Sequence, residues 1–164
     1  MTATGRAYVG LGSNLESPIE QVRAGMAALA KLPGTRVVQC SSLYRSAPVG
    51  VASQPDFINA VCVLETELEA ESLMRFLLAI ECEHGRVRGG GHGEPRTLDL
   101  DLLLYGDLEL GTAEVTLPHP RLHERAFVLY PLLEVEPALR VPGRGAVAEL
   151  ARGCATQAVE RLKG

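Results

Sequence analysis

Hydrophobic and polar residues follow two different periods along this chain, and the two periods separate predicted strands from predicted helices. Short apolar runs predict strands at residues 7–11, 35–44, 57–68 and 98–105. Apolar residues at helical spacing predict helices over 17–33 and 69–85, and Ser17, Pro18 and Glu20 have the form of a capping box at the first of them. A third helix is predicted over about 124–134, and the tail is a candidate for a fourth.

The first six elements occur in the order strand, helix, strand, strand, helix, strand. That order is typical of a ferredoxin-like α+β fold, in which a mostly antiparallel sheet carries helices packed on one face. No internal repeat or second domain is visible, so we expect one domain over residues 1–164. Residues 86–96 include three consecutive glycines and almost nothing that could pack in a core, which predicts a loop that moves.

Composition and charge narrow the classes of protein that this chain can represent. Of its 164 residues, 46% are hydrophobic but only 4% are aromatic, so aliphatic side chains must supply most of the core. A formal net charge of −4 argues against a general nucleic-acid binder, whose affinity depends on a basic surface. The first residues lack the apolar stretch of a signal peptide, and no run approaches the length of a membrane span. We therefore expect a cytoplasmic protein without membrane or nucleic-acid partners.

The four cysteines are widely spaced and form no C-x-x-C pair; they are Cys40, Cys62, Cys82 and Cys154. Their even number permits disulfides. Because no secretory segment is visible, however, we expect reduced thiols.

The segment with the clearest chemical signal is the predicted strand at 98–105, which contains Asp99 and Asp101. Alternate side chains of a strand share a face, so the two carboxylates project together, about 7 Å apart, while the intervening leucines pack on the other face. Aspartate is disfavoured in strands, and two neighbouring carboxylates repel unless a cation or a proton intervenes. Hard oxygen ligands suit Mg²⁺, and such a pair can hold ions that bind the phosphates of a nucleotide.

Cationic residues surround this strand in the sequence. Arg86, Arg88 and Arg96 precede it, and His119, Arg121, His123 and Arg125 follow it. Transfer of a phosphoryl group moves charge among phosphate oxygens, and arginine suits them through its fork of donors. The grouping therefore favours a polyphosphate site, although each of these residues alone is more typical of a protein surface.

Two common nucleotide-binding motifs are absent. The chain has no G-x-x-x-x-G-K-[ST] pattern, and Gly10 and Gly12 are not followed by the third glycine of a dinucleotide fingerprint. The three glycines Gly89, Gly90 and Gly91 are better interpreted as the hinge of a closing loop.

Five sequence blocks, in order, resemble the 6-hydroxymethyl-7,8-dihydropterin pyrophosphokinase family. They are residues 8–15 (YVGLGSNL), 42–50 (SLYRSAPVG), 54–60 (QPDFINA), 85–88 with 95–103 (GRVR and PRTLDLDLL, the densest part of the match) and 117–129 (LPHPRLHERAFVL). The resemblance implies magnesium-dependent transfer of pyrophosphate from ATP to the hydroxymethyl-dihydropterin in folate biosynthesis, with two Mg²⁺ ions.

The resemblance also implies residue roles by position. Asp99 and Asp101 match the magnesium ligands, and with Arg86 and Arg96 they form the catalytic set. The nucleotide side is matched by Glu81, Arg86, Arg88, Arg96, His119 and Arg125. Phe57 and Phe127 match two rings that sandwich the pterin, a stacking arrangement that suits a flat heterocycle. Asn59 and the chain around Ser46, Pro48 and Val49 match the groups that recognise its polar edge.

One departure from the family pattern falls in the glycine-rich loop. Where the family commonly has Trp-Gly-Pro-Arg, this chain has Gly93, Glu94, Pro95 and Arg96. We expect the change to affect loop closure and rate and to leave the magnesium site intact. Two other functions stay open: a small phosphatase on the same fold, and a binding or regulatory module that lost activity. We expect a monomer.

Overall fold

The computed structural model describes residues 5–14, 17–46, 56–84 and 98–162. The elements are β1 (Gly5–Ser13), α1 (Pro18–Leu29), β2 (Thr35–Cys40), β3 (Tyr44–Ser46), β4 (Phe57–Thr66), α2 (Ala70–Glu83), β5 (Asp99–Tyr105), β6 (Leu110–Gly111), β7 (Thr116–Leu117), a 3₁₀ turn (Leu122–Glu124), α3 (Ala126–Val135), β8 (Arg140–Val141), β9 (Gly145–Ala146), α4 (Val147–Arg152) and β10 (Val159–Arg161). None of the helices in these ranges is long and apolar enough to cross a membrane.

The main sheet has the strand order β10-β3-β4-β1-β5, with β2 also paired to β4. Every pair in it is antiparallel. Without β3 and β10, the remaining order β2-β4-β1-β5 is the arrangement of a ferredoxin-like fold, so the predicted fold class is confirmed. The predicted strand at 35–44 is two strands, β2 and β3, which pair with successive parts of β4. Between them the Ser41 N–H donates to Val61 O (2.8 Å), and the Ser41 hydroxyl accepts from Val61 N–H (2.9 Å).

Helices cover both faces of the sheet, so the expectation that they share one face is wrong. One buried cluster joins α1 and α2 to the sheet through residues such as Val9, Leu64 and Leu73. The other joins α3 and α4 to the opposite face through residues such as Val63 and Leu129. The physical reason is that neighbouring positions of β4 are apolar on both faces, a pattern typical of a strand buried on both sides.

The ends of the helices differ in detail from the sequence expectation. Ser17 has a left-handed backbone (φ 61°) and makes no side-chain cap, so the capping-box prediction is wrong. A serine caps with its hydroxyl from an extended backbone, which Ser17 does not have. The predicted helices at 69–85 and 124–134 are present as α2 and α3, and the tail contains α4 but then continues into strand β10.

Cys40 and Cys62 form a disulfide, which contradicts the expectation of reduced thiols. The two residues are direct cross-strand partners on β2 and β4, with Cα atoms 4.1 Å apart, so the register of the sheet brings their sulfur atoms together. Cys82 and Cys154 are free.

Candidate active site

The two aspartates of β5 lie on the sheet face that α3 covers. Asp99 pairs with Gly12 and Asp101 with Gly10, both in β1. The alternate residues of the segment lie in the opposite core, under α1 and α2; they are Leu98, Leu100 and Leu102. The alternation predicted from the sequence is thus confirmed, and it leaves both carboxylates half-buried beside α3.

The glycines of β1 leave open space next to these carboxylates. A Cβ atom at Gly12 would stand 3.2 Å from Asn59 Oδ1, and one at Gly10 would stand 3.4 Å from a Leu103 methyl group. Larger side chains at these positions would therefore fill the space between the sheet and α3. The two glycines therefore have a steric role here.

A cavity of about 660 Å³ opens above this part of the sheet. Seven of the residues predicted for the site line it: Ser46, Phe57, Asn59, Asp99, Asp101, Arg125 and Phe127. They come from β3, β4, β5 and the beginning of α3, so segments separated by up to 81 positions in the sequence (46 to 127) meet here. The size and the mixture of aromatic, acidic and basic groups suit small-molecule substrates.

Asn59 is held in one orientation at the base of the cavity. It is buried, and its amide Nδ2 donates to the Ser46 hydroxyl at 2.7 Å. Because the amide nitrogen makes that bond, the amide oxygen Oδ1 is on the other side of the group, next to the backbone of Gly12.

Positively charged and ionisable groups converge on Asp101 from the segment that follows β7. Burial lowers the pKa of Arg125, and the charge of Asp101 acts in the opposite direction. Burial is also the main cause of the lowered pKa of His119. Asp101 raises the pKa of His119 again, while Arg125 and Arg121 lower it. The effect of Asp101 means that His119 and Arg125 lie within electrostatic reach of the acidic strand, and Arg121 lies close enough to act on both of them.

His119 is held by hydrogen bonds of its backbone and of its ring. Its backbone N–H donates to Leu103 O of β5 at 2.9 Å, and its ring Nδ1 accepts from the Arg121 backbone N–H at 3.2 Å. In the neutral ring, which the lowered pKa favours, the proton then resides on Nε2 and can be donated to an oxygen of a ligand.

Glu81 is not among the residues that line the cavity. It lies on α2 and is buried, and its Oε2 accepts from the Leu100 N–H at 2.8 Å. That backbone group belongs to the residue between the two aspartates. The Glu81 side chain therefore contacts the backbone of the acidic strand, from the α2 side of the sheet.

Five predicted site residues lie outside the described part of the chain: Pro48, Val49, Arg86, Arg88 and Arg96. The glycine-rich loop with its Gly93 departure falls in the same undescribed ranges.

Two polar side chains of the cavity lining have no predicted role in the site, and Arg121 is predicted only as one cation among several. The two side chains are those of Glu124, in the 3₁₀ turn, and Gln157, in the tail. Gln157 gave no usable signal, because its position depends on the pairing of β10 with β3.

The cavity defines a class: a ferredoxin-like α+β protein with an acidic pair, two aromatic rings and cationic groups around one small-molecule site. The 7,8-dihydro-6-hydroxymethylpterin-pyrophosphokinase (HPPK) family matches residues 8–137. A 2-amino-4-hydroxy-6-hydroxymethyldihydropteridine pyrophosphokinase from Pseudomonas aeruginosa is 48% identical over 97% of this chain and 98% of its own, and one from Haemophilus influenzae is 44% identical over 95% and 97%. This chain belongs to the HPPK family. It is a pyrophosphokinase of folate biosynthesis with a pterin substrate.

Solved structures give the same fold. An HPPK-DHPS crystallised in complex with substrates has a TM-score of 0.73 and 11% identity, over 93% of this chain and 43% of that one. Plasmodium falciparum HPPK-DHPS with pteroate has a TM-score of 0.71 and 12% identity over the same shares. This chain spans less than half the length of those two proteins, and at such identities the likeness concerns the fold alone.

Proposed function

We propose that this cavity binds ATP and 6-hydroxymethyl-7,8-dihydropterin together, and that the chain transfers pyrophosphate between them with the help of Mg²⁺. One observation carries the proposal. A single cavity is lined by a carboxylate pair suited to a metal–polyphosphate complex and by two phenylalanines suited to a flat heterocycle. A pyrophosphokinase needs both kinds of surface in one cavity, because the group is transferred directly between the two substrates.

The pterin side of the cavity is formed by β4, β3 and the start of α3. Phe57 and Phe127 offer rings for stacking, and Asn59 Oδ1 offers an acceptor to the amino and N–H groups of the pterin. Ser46 holds the amide of Asn59 in this orientation. Pro48 and Val49 lie outside the described ranges, and they are proposed to complete the set of groups that recognise the polar edge of the pterin.

Asp99 and Asp101 fit a magnesium site. Mg²⁺ prefers oxygen ligands and takes few from the protein, because it retains water and phosphate oxygens. Within the described ranges no group of three or more His, Cys, Asp or Glu residues could hold a metal ion, so these residues offer no closed protein cage. A half-buried pair facing an open cavity matches the donor set expected for two ions shared with a nucleotide. When bound, Mg²⁺ neutralises charge on the phosphate oxygens.

The nucleotide side is proposed to lie toward His119 and Arg125. The charge of Asp101 acts to raise the pKa of both groups, so both lie near it, and a polyphosphate beside the aspartates would also meet these donors. Arg86, Arg88 and Arg96 are proposed to supply further donors from the glycine-rich loop. Glu81 is proposed to act on the nucleotide side from beneath β5.

The reaction is an in-line displacement. The hydroxymethyl oxygen of the pterin attacks the β-phosphorus of ATP, the bond between the α- and β-phosphates breaks, AMP leaves, and the hydroxyl proton is released. No covalent enzyme intermediate is needed. The residues of the chain contribute by orienting the two substrates and by holding opposite charge close to the transferred group.

The products of a single incubation test this proposal. The chain is incubated with ATP, Mg²⁺ and the dihydropterin, and nucleotides and pterins are separated by chromatography. We expect AMP and pterin diphosphate in equal amounts. Release of inorganic phosphate would indicate the phosphatase alternative, and binding of both substrates without AMP would indicate the regulatory module; either result contradicts the proposal.

We also propose that the chain acts as a single-domain monomer in the cytoplasm. Light scattering at the concentration of the assay should give the mass of one chain. A dimer mass under those conditions contradicts the monomer.

A further inference from the structure

The side chain of Gln157 bridges the corner at which α3 begins. Its Oε1 accepts from the Ala126 N–H at 3.0 Å, and its Nε2 donates to Glu124 O at 2.8 Å. The first N–H groups of a helix have no partner within the helix, so Gln157 supplies one from a distant segment. A separation of 31 residues between Gln157 and Ala126 makes this a tertiary contact.

The bridged corner carries two groups of the proposed site on either side of Ala126. Arg125 precedes it and Phe127 follows it, and the Arg125 guanidinium carbon lies 5.6 Å from the centre of the Phe127 ring. Arg125 belongs to the proposed nucleotide side and Phe127 to the proposed pterin side. A shift of the Ala126 backbone therefore displaces both.

The tail that carries Gln157 is anchored independently of this corner. Strand β10 follows directly and pairs with β3, where Val159 lies opposite Ser46, another residue of the cavity lining. Arg161 in the same strand donates to the Ser42 hydroxyl (3.1 Å) and to Glu134 of α3 (3.3 Å). The backbone next to Gln157 is thus held in place by contacts other than the two side-chain hydrogen bonds of Gln157.

We propose that Gln157 is a positioning residue that sets the orientation of Arg125 and Phe127, so that the tail of the chain completes the substrate site. Gln157 lies 20 residues beyond the end of the family match (157 against 137), so the shared family segment does not include it. The inference rests on the proposed function for the identity of the two substrates. The hydrogen bonds to the corner do not depend on that function.

The proposal is tested with Gln157→Met, which keeps the length of the side chain and removes both hydrogen bonds. Gln157→Glu keeps the acceptor for Ala126 N–H and loses only the donor to Glu124 O. The matched control is Gln39→Met, at an exposed position of β2 outside the cavity lining. Because Gln157 is itself largely exposed, the variants keep their core packing.

Titration calorimetry should show that Gln157→Met weakens binding of both an ATP analogue and the pterin about tenfold, the cost of losing one capping bond. Both KM values rise in parallel while kcat changes little, because Asp99 and Asp101 are untouched. The dissociation constants and KM values of Gln157→Glu should lie between those of Gln157→Met and those of the wild type. Dissociation constants within twofold of Gln39→Met overturn the proposal, even if the melting temperature falls.

A second measurement separates this inference from the proposed function. Hydrogen exchange at the Ala126 amide should be faster in Gln157→Met than in Gln39→Met, whatever substrate the wild type uses. Unchanged exchange overturns the inference. Absence of turnover in the wild type contradicts the proposed function, and the exchange result then decides whether Gln157 holds the corner.

Discussion

At the scale of single residues, Asn59 illustrates how one hydrogen bond determines which atom a side chain offers to a ligand. The Ser46 hydroxyl accepts from the amide N–H, and the amide oxygen then lies next to the backbone of Gly12. The family resemblance named Asn59 and Ser46 as separate contacts to the pterin. The structure adds that the two side chains act on each other, which no pattern along the sequence could indicate because they are 13 residues apart on different strands.

Replacement of Asn59 by alanine should therefore weaken pterin binding more than replacement of Ser46. We expect Asn59→Ala to raise the KM for the pterin about tenfold or more, the effect of one lost hydrogen bond to the ligand, with the KM for ATP unchanged. Ser46→Ala should raise the KM for the pterin only about threefold, because the amide oxygen of Asn59 is still present. Steady-state kinetics with each substrate varied in turn provide the measurement, and an equal rise for ATP would argue against a pterin contact.

At the scale of secondary-structure elements, the acidic strand was the most predictable part of the molecule. Asp99 and Asp101 alternate with buried leucines, and a period of two has the same consequence in any sheet. The break between β2 and β3 was not predictable, since it depends on the Ser41 side chain binding the backbone of β4. The unbroken apolar run at residues 60–64 of β4 is the sequence signal for helices on both faces of the sheet.

A second element-scale feature is the carboxylate of Glu134, through which α3 contacts β3 and β10. It accepts from the Tyr44 hydroxyl (2.7 Å), the Ser42 N–H (3.0 Å) and the Ser42 hydroxyl (2.9 Å). Burial alone would raise the pKa of Glu134, but these hydrogen bonds and Arg161 outweigh it and hold the pKa below its usual value. The charged form of Glu134 thus favours the folded state.

This linkage predicts a pH dependence of stability. Because the pKa is lower in the folded chain than in the unfolded chain, the contribution of Glu134 is complete above the ordinary value of 4.5 and is lost as the pH falls through the folded value. Urea unfolding at a series of pH values should show that Glu134→Gln loses less stability than the wild type on acidification below that value. Parallel curves of unfolding free energy against pH for the two proteins would contradict this contribution of Glu134.

At the scale of the whole molecule, the cross-link between Cys40 and Cys62 contradicts the expectation of reduced thiols. Reduced thiols were inferred from the absence of a secretory segment, whereas the register of β2 against β4 places the two residues side by side. Spacing along the chain carried no information about that register. The ferredoxin-like topology, in contrast, followed from element order alone.

Thiol titration of the denatured chain checks the cross-link. Without reductant we expect two reactive thiols, those of Cys82 and Cys154, and after reduction all four. Reduction should also lower the free energy of unfolding by up to about 3 kcal/mol, since the cross-link closes a loop of 22 residues. Four thiols before reduction would show that the cross-link does not form in solution.

The central claim is that the Asp99–Asp101 face of β5 holds the metal–nucleotide complex from which pyrophosphate is transferred. The most direct measurement is the rate of AMP formation, at saturating ATP, Mg²⁺ and dihydropterin, by Asp99→Asn and Asp101→Asn. The control is Asp107→Asn, an exposed aspartate just beyond the same strand that does not line the cavity. We predict a loss of about 100-fold or more for each of the first two variants, with unchanged circular dichroism, and a normal rate for the control. Rates within about threefold of the wild type for both cavity variants would contradict the account.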